Sequence, residues 1–595
     1  MRPGVAGSVP TAGRRAPIER REALPELSPT PGPPRRPHLK AAVILDEFSM
    51  LAFAPEWVQV PVAPDDWMRV LDAEMPDLLF VESAWNGNDG AWLHHVVGPT
   101  APRPALVGLV AECRERRIPT VFWNKEDPPH FSDFLATAAL FDLVLTTDVN
   151  CVAEYKRRLG HDRVGVLPFA AQARYHNPTR PQGAPRDREV AFGGMYFRHK
   201  YPERREQLDY LLPAARRHTF DIFSRHAEST NQDYQFPSRY AEHVRGSLTY
   251  PQMLHAYHRY RVFLNVNSVV DSASMCARRI FEVSACGASV LTPPSPAVDG
   301  FFPEGEIPVV SNEAEATTAL RTLLRSEEYR ERQVHRAQRR IWEAHTYTDR
   351  VGAVLDAVRM PDPYTRPSTS VIVSTVRPEN VTSVLENVGR QVGVSPELVL
   401  LCHGFSVDGQ EVRAIARDLG IDELTLLEAD AGATLGENLN ELVRASSGDM
   451  VSKMDDDDFY GPNYLRDLLN ASYYSEADIV GKAASYIYFE SKDATVLSYE
   501  SHANRYTDFV RGATLTGKRD LFAEVGFEAL ACSEDSTFLA KVRAGGGRIY
   551  GADRFNFVIR RVADPESHTW RVSDDELFSA GRYVVSGAPF EHVCV

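Results

Sequence analysis

The chain has 595 residues, a formal charge of −15 and 43% apolar residues. The length exceeds one hydrophobic core and implies about three or four domains, and the acidic balance argues against a general nucleic-acid binder, which would carry a basic face. No apolar run approaches the ~20 residues of a membrane span, no signal-peptide core is present, and seven scattered cysteines without a C-x-x-C pair argue against a zinc knuckle or disulfide framework and suit a reducing cytoplasm.

Residues 1–38 are rich in Pro, Arg and Gly, as in SPTPGPPRRP (28–37), and carry eight Lys or Arg against three Glu through Lys40. Such a stretch buries too little apolar surface to fold, so it reads as a disordered basic tail. An acidic membrane surface or a partner would suit it, and so would no role at all.

From Lys40 the pattern changes. AAVILD (41–46), DLLFVE (77–82), TVFWN (120–124) and DLVLTT (142–147) are short continuous apolar runs separated by helical stretches such as PALVGLVAECRERR (104–117). Runs of this kind predict a parallel sheet covered on both faces. A second set comprises EVAFGG (189–194), FDIFS (220–224), VFLNVN (262–267) and ASVLT (288–292). The two units predict two Rossmann-like lobes over 39–180 and 181–360, facing a cleft. Helical sequence from Asn312 to Met360 is expected to close the second.

In the second unit, CARRIFEVSACGASVLTPP (276–294) reads as a helix ending at glycine, then a buried strand. Arg279 and Glu282 are three apart and share a helical face. They are either a surface ion pair or a cleft-facing set, with Arg for a diphosphate and Glu for ribose hydroxyls. FGGMYFRHKYPERR (192–205) puts Gly194 and basic residues after a strand, where backbone N–H groups can meet phosphate. Lys125, Glu126 and Asp127 follow another strand; Asp127 precedes two prolines, so turn-making competes with a chemical role.

PDPYTRPSTS (361–370) reads as a linker, with freedom for the halves to move. A third α/β unit follows over 370–595, through SVIVST (370–375), ELVLL (397–401), LTLLEA (424–429) and DMVSKM (449–454). The last strand runs into Asp455, Asp456, Asp457 and Asp458. Four carboxylates at the carboxyl end of a strand repel one another, and open α/β sheets bind ligands there. Mg2+ or Mn2+ would answer the repulsion, being suited to carboxylate oxygen. A solvated acidic loop is the plain alternative. Lys453 either offsets the repulsion or points to the opposite face.

MDDDDFYGP (454–462) resembles the D-x-D-D-x-x-x-P signature of GT-A glycosyltransferases of the family-2 type. The resemblance extends over roughly 368–575, through VSTVRPENV (373–381), GATLGENLNELVRASSGD (432–449), RGATLTGKRDLFAEVGF (511–527) and SEDSTFLAKVRAGG (533–546). It implies Asp455 and Asp457 as holders of metal and diphosphate, Asp456 and Asp458 as nucleotide-sugar contacts, and Asp535 as catalytic base with Glu534 beside it. His568 would complete the metal site, and Thr375, Arg377 and Asp430 would line the nucleotide site. The segment 276–294, with IPTVFWNKEDPPHF (118–131), FDLVLTTD (141–148) and NVNSVVDSASMCARRIFE (265–282), resembles GT-B glycosyltransferases of the spore-maturation (CgeB-like) type over about 40–355. That resemblance implies a metal-independent donor site with Arg279 and Glu282, and with Asn267 and Gly194 beside them.

The expected fold class is therefore α/β, with two GT-B-like lobes followed by a GT-A-like domain. The expected function is transfer of sugars from nucleotide-diphosphate sugars to a glycan or lipid-linked glycan in bacterial surface-polysaccharide or cell-wall assembly, with the assembly machinery as a partner. Its setting would be the cytoplasm or the inner face of the membrane. The alternatives are one active GT-A module joined to a degenerate glycan-binding or scaffold module, and a nucleotidyltransferase. The missing basic glycine-rich loop near the first strand argues against the last.

Overall fold

The computed structural model describes residues 24–25, 32–180, 185–303, 305–563 and 572–595. The fold is α/β. In the first lobe six parallel strands lie in the order Trp57–Pro61, Arg36–Ile44, Leu78–Glu82, Thr120–Asn124, Leu143–Thr146 and Val164–Val166. Ala41 through Leu45 are fully buried, as expected for strands covered on both faces. The sheet begins at Arg36, inside the stretch expected to be disordered. Arg36 is buried and paired with Glu56 at 3.1 Å and Asp362 at 2.6 Å. These two carboxylates, distant in sequence, order the end of the tail. Residues 1–23 and 26–31 lie outside the described residues.

The second lobe is a five-stranded parallel sheet ordered Ser289–Leu291, Tyr260–Leu264, Arg188–Gly193, Phe220–Phe223 and Val244–Gly246. The helix Glu313–Arg325 covers it through Ala316, Leu320 and Leu323. The helix Tyr347–Ala357 does not close this lobe as expected. Thr346 caps it with a capping box, Tyr347 bonds back to Ala171, and Tyr347, Val351, Val354 and Leu355 pack in the core of the first lobe. The chain thus crosses the cleft twice.

The third unit holds an eight-stranded mixed sheet centred on Thr369–Thr375 and Met450–Lys453, with Thr516–Lys518 antiparallel to the latter. A second sheet of five strands includes Phe459–Tyr460, Phe557–Arg561 and Ser485–Phe489. The aspartates lie between the two sheets, directly after Met450–Lys453.

The linker does not separate the halves. Arg339 forms a fork on Asp467 at 2.9 and 2.8 Å, and His335 bonds the same carboxylate at 2.9 Å. Arg554 reaches Glu328 at 2.7 Å and Glu331 at 3.2 Å, and Trp342 packs on Tyr474 with ring centroids 5.2 Å apart. Forked, largely buried ion pairs have narrow geometric tolerance, so this seam opposes the mobility expected from the Pro-rich segment.

Candidate functional site

Two sites emerge. The first is a cavity of about 990 Å3 between the first two lobes. Its second-lobe wall carries Arg204, Arg225, Arg278 and Arg279, and no carboxylate. Arg278 is paired with Glu282 at 3.1 Å. Among the described residues, Arg204, Arg225 and Arg279 have no carboxylate within ion-pair distance. Arg204 instead donates to the Ser268 hydroxyl at 2.9 Å, and the buried Arg279 Nε has no hydrogen-bond partner. Burial, then Arg279, pulls Arg204 down to about 10, so it stays cationic at neutral pH. Burial, then Arg279 and Arg278, lowers Arg225 as well. Crowded cations without carboxylate partners are costly unless an anion enters.

Glu282 is placed differently from the sequence expectation. It is fully buried and does not line the cavity. It accepts from the hydroxyls of Tyr250 at 3.0 Å and Tyr257 at 2.9 Å, and its ion pair is with Arg278, one turn back, rather than with Arg279. Arg278 is held from its other side by Phe48 of the first lobe, 3.7 Å from the ring centroid. Glu282 thus positions cavity-lining groups from beneath and is not free for a ribose. Gly194 lines the cavity, but its N–H donates to Phe223 O at 2.9 Å, so it cannot also bind phosphate. Asn267 is likewise committed, bonded to Gln207, Asn265 and Pro293.

On the first-lobe wall, Lys125 Nζ donates to Glu82 at 2.8 Å and Asp46 at 3.2 Å, so it is not free for a ligand. Asp127 is fully buried among Thr146, Asn124 and Tyr155. Burial pushes its carboxyl up to about 7. Glu126 lines the cavity half-buried.

The second site is the aspartate strand end. Lys453 is buried and donates to Asp455 at 2.5 Å, so it faces the cluster and offsets its repulsion. Thr375 donates to Asp456 at 2.5 Å. Arg377 donates to Asp456 at 2.7 Å and to Asp457 at 3.0 Å, and Asn380 adds a bond to Asp456 at 3.3 Å. Asp458 is buried and accepts from the Arg560 backbone N–H at 3.1 Å. Burial, then repulsion from neighbouring aspartates, raises the Asp457 and Asp458 carboxyls, the second strongly. Asp430 lies exposed just beyond the strand Leu424–Ala429.

Glu534 and Asp535 open the helix Glu534–Ala544, where the helix dipole favours negative charge. Both contribute to the field at Lys453. Burial, with repulsion by Asp535 against the pull of Lys453, raises Glu534. Asp535 lies against Gly512: a Cβ there would sit 1.7 Å from Asp535 Oδ2. The glycine therefore decides where this carboxylate sits.

Four aspartates with Glu534 and Asp535 outnumber Lys453 and Arg377, and their oxygens are the hard donors Mg2+ or Mn2+ prefer. Asp455 and Asp457 thus fit a divalent cation by charge and donor type. His568, the expected third ligand, lies outside the described residues. Among the described residues, the metal-like trio is His335, Asp467 and Asp553 in the seam between the halves. Arg339 and Lys482 already neutralise its carboxylates.

The sequence pattern did not single out Arg204, Arg225, Arg278, Asn380 or Gly512 individually. Arg225 follows the strand Phe220–Phe223, in which Asp221 is the one polar residue, as part of Ser-Arg at its carboxyl end.

Residues 204–356 match the model of a glycosyl transferase-like family. That stretch includes all four cleft arginines. No curated protein matches the chain. Among solved structures, it is similar to the mannosyltransferase PcManGT from Pyrobaculum calidifontis in complex with GDP-Man and Mn2+, at 20% identity and a TM-score of 0.27, over 35% of this chain and 60% of that one. It is also similar to S. aureus TarS 1–349 in complex with UDP-GlcNAc, at 17% identity and a TM-score of 0.28, over 36% of this chain and 64% of that one. The chain thus spans less than two thirds of either. No helix among the described residues is long and apolar enough to cross a membrane.

Proposed function

We propose that the protein is a glycosyltransferase with two donor sites, acting on nucleotide-diphosphate sugars and a glycan or lipid-linked glycan acceptor in surface-polysaccharide or cell-wall assembly. The observation that carries this reading is the wall bearing Arg204, Arg225 and Arg279 without carboxylate partners in a cleft of about 990 Å3, within the stretch matched by the glycosyl transferase-like family. Arg204, Arg225 and Arg279 supply the positive charge a diphosphate needs, so this site calls for no metal.

At the aspartate strand end the roles divide. Asp455 and Asp457 would hold a divalent cation, which when bound neutralises charge on the diphosphate leaving group. Thr375 and Arg377 fix Asp456 and the first loop. Asp535 takes the proton from the acceptor hydroxyl, whose oxygen forms a bond to the anomeric carbon as the bond to the diphosphate oxygen breaks. The nucleoside diphosphate leaves with that electron pair, and displacement inverts the anomeric centre. The seam between the halves supports both sites acting on one assembly.

The test is release of UDP or GDP from a panel of nucleotide sugars, with Mn2+ or with EDTA, by the wild type, Asp457→Ala and Arg279→Ala. Two donors are expected, one released only with Mn2+ and lost in Asp457→Ala, the other insensitive to EDTA and lost in Arg279→Ala. Loss of all release in Asp457→Ala, with none in Arg279→Ala, would leave one enzyme with a binding module.

A further inference from the structure

The first-lobe wall of the cleft is built unlike the second. It presents Glu47, Asp89 and Glu126 to the cavity, and its lysine is consumed by Glu82 and Asp46. An anionic group is therefore drawn to the arginine wall and repelled from this one. Whatever occupies this side is uncharged or cationic, and hydroxyl groups suit its acceptors.

Trp85 stands on the same wall. It lines the cavity and keeps 39% of its surface exposed. Its ring is fixed edge-to-face by His130, centroids 4.9 Å apart, and Phe134, 5.5 Å apart. The loop beneath it is over-determined. Gly87, Asn88, Asp89 and Gly90 all have positive φ, a conformation costly for Asn and Asp unless the surroundings impose it. The Asp46 carboxylate accepts from the backbone N–H groups of Trp85, Asn86 and Gly87 at 3.2, 3.1 and 2.9 Å. Asn88 ties the loop to Val43, Leu45 and Val62. A rigid indole open to the cavity presents a flat apolar face that a ligand can cover.

We propose that Trp85 is the stacking platform for a pyranose ring of an uncharged saccharide acceptor. The C–H face of a pyranose lies flat on an indole, while its hydroxyls reach the carboxylates around it. This rests on the cleft being a glycosyltransferase site, and it adds the acceptor subsite that the arginine wall does not define.

The test uses the full chain and two sets of probes, titrated by calorimetry: UDP and GDP, and a saccharide panel of the methyl glycosides of glucose, galactose, mannose and N-acetylglucosamine with their β-1,4 disaccharides. Trp85→Ala is expected to weaken saccharide binding by about tenfold or more, Trp85→Phe to retain most of it, and nucleotide affinity to change less than twofold in both. Trp85→Phe also keeps the ring packing, so loss confined to the alanine variant with a shifted melting curve is recognised as unfolding and overturns the proposal if Trp85→Phe binds like wild type while a folded Trp85→Leu does too. Equal saccharide binding in all variants, parallel loss of nucleotide binding, or no saccharide binding to the wild type would each overturn it. Arg225→Ala with Arg279→Ala reads the underlying assumption separately. If nucleotide affinity measured in EDTA, where the strand-end site is silent, survives both substitutions, the donor reading of the cleft fails, whatever Trp85 does.

Discussion

In the front cleft, three arginines face a cavity without carboxylate partners; at the end of the strand Met450–Lys453, four aspartates share two cations, Lys453 and Arg377. The two sites carry opposite charge imbalances. The second-lobe wall of the cleft is short of anions and suits a diphosphate directly. The strand end is short of cations and suits a diphosphate only through a positively charged intermediary. They differ too in how their key groups are held. The cleft's Glu282 is sealed beneath the wall by two tyrosines and an arginine, whereas Asp535 sits half-buried against a glycine. One arrangement spends its carboxylate on structure, and the other leaves it available to a substrate.

The largest expected effect separates these two carboxylates. Asp535→Asn should lower transfer at the strand-end site by about 10²–10⁴-fold, the usual range for a lost general base, with donor binding retained. Gly512→Ala should produce much of the same loss with Asp535 still present, because the added methyl displaces that carboxylate. Steady-state kinetics with a separate nucleotide titration reads both. Full activity in Gly512→Ala would break the link between the glycine and the base.

Glu282→Ala should do something different. Removing one partner of a buried ion pair costs about 3–5 kcal/mol, so the variant should unfold at lower denaturant concentration before any question of affinity arises. Guanidinium unfolding of the wild type and variant measures this. An unchanged unfolding curve with weakened nucleotide binding would restore Glu282 as a ligand contact and erase the contrast.

Arg225→Ala and Arg279→Ala should each weaken nucleoside-diphosphate binding in the cleft by about ten- to a hundredfold, the value of a charge-assisted hydrogen bond. The wild-type affinity should also fall with added salt more steeply than either variant's. Salt-independent binding would mean that the arginine wall does not hold the phosphates.

Much of this architecture is legible in the sequence for one physical reason. Strands buried on both faces must be continuous apolar runs, so AAVILD and DLLFVE announce themselves. The aspartate cluster is legible because a buried strand running into four acids has few structural uses. Side-chain pairing is less legible. A helix brings positions three and four apart equally close, and Arg278 rather than Arg279 meets Glu282 because Phe48 and Tyr250, remote in sequence, hold Arg278 there. The stretch WNGNDG (85–90) carries clear turn residues, but no local pattern says that Asp46 would gather its backbone under Trp85. The tail fails similarly: Arg36 reads as part of a disordered basic stretch until Glu56 and Asp362 fold against it.

The smallest expected effect compares two ways of raising a carboxyl above its ordinary range. At the strand end, burial acts together with repulsion between adjacent aspartates. In the cleft wall, Asp127 is raised to about 7 mainly by burial, against the pull of hydrogen bonds from Thr146 and Tyr155. Unfolded, its carboxyl returns to near 4. Between those values the folded chain binds a proton that the unfolded chain does not, so stability falls as pH rises through this window. The contribution is fully present below about pH 4 and is lost by the time pH passes about 7. Asp127→Asn keeps the shape and cannot ionise, so the difference in melting temperature between wild type and variant isolates this one group from the other titrating residues. That difference should shift steadily against the wild type from pH 4 to 7 and level off above. A constant difference across the range would mean that Asp127 is ionised in the folded wall, with its charge met by Thr146, Asn124 and Tyr155. The cleft would then hold a fixed negative charge beneath its acceptor face, and burial would no longer distinguish its carboxyl from those of the aspartate cluster.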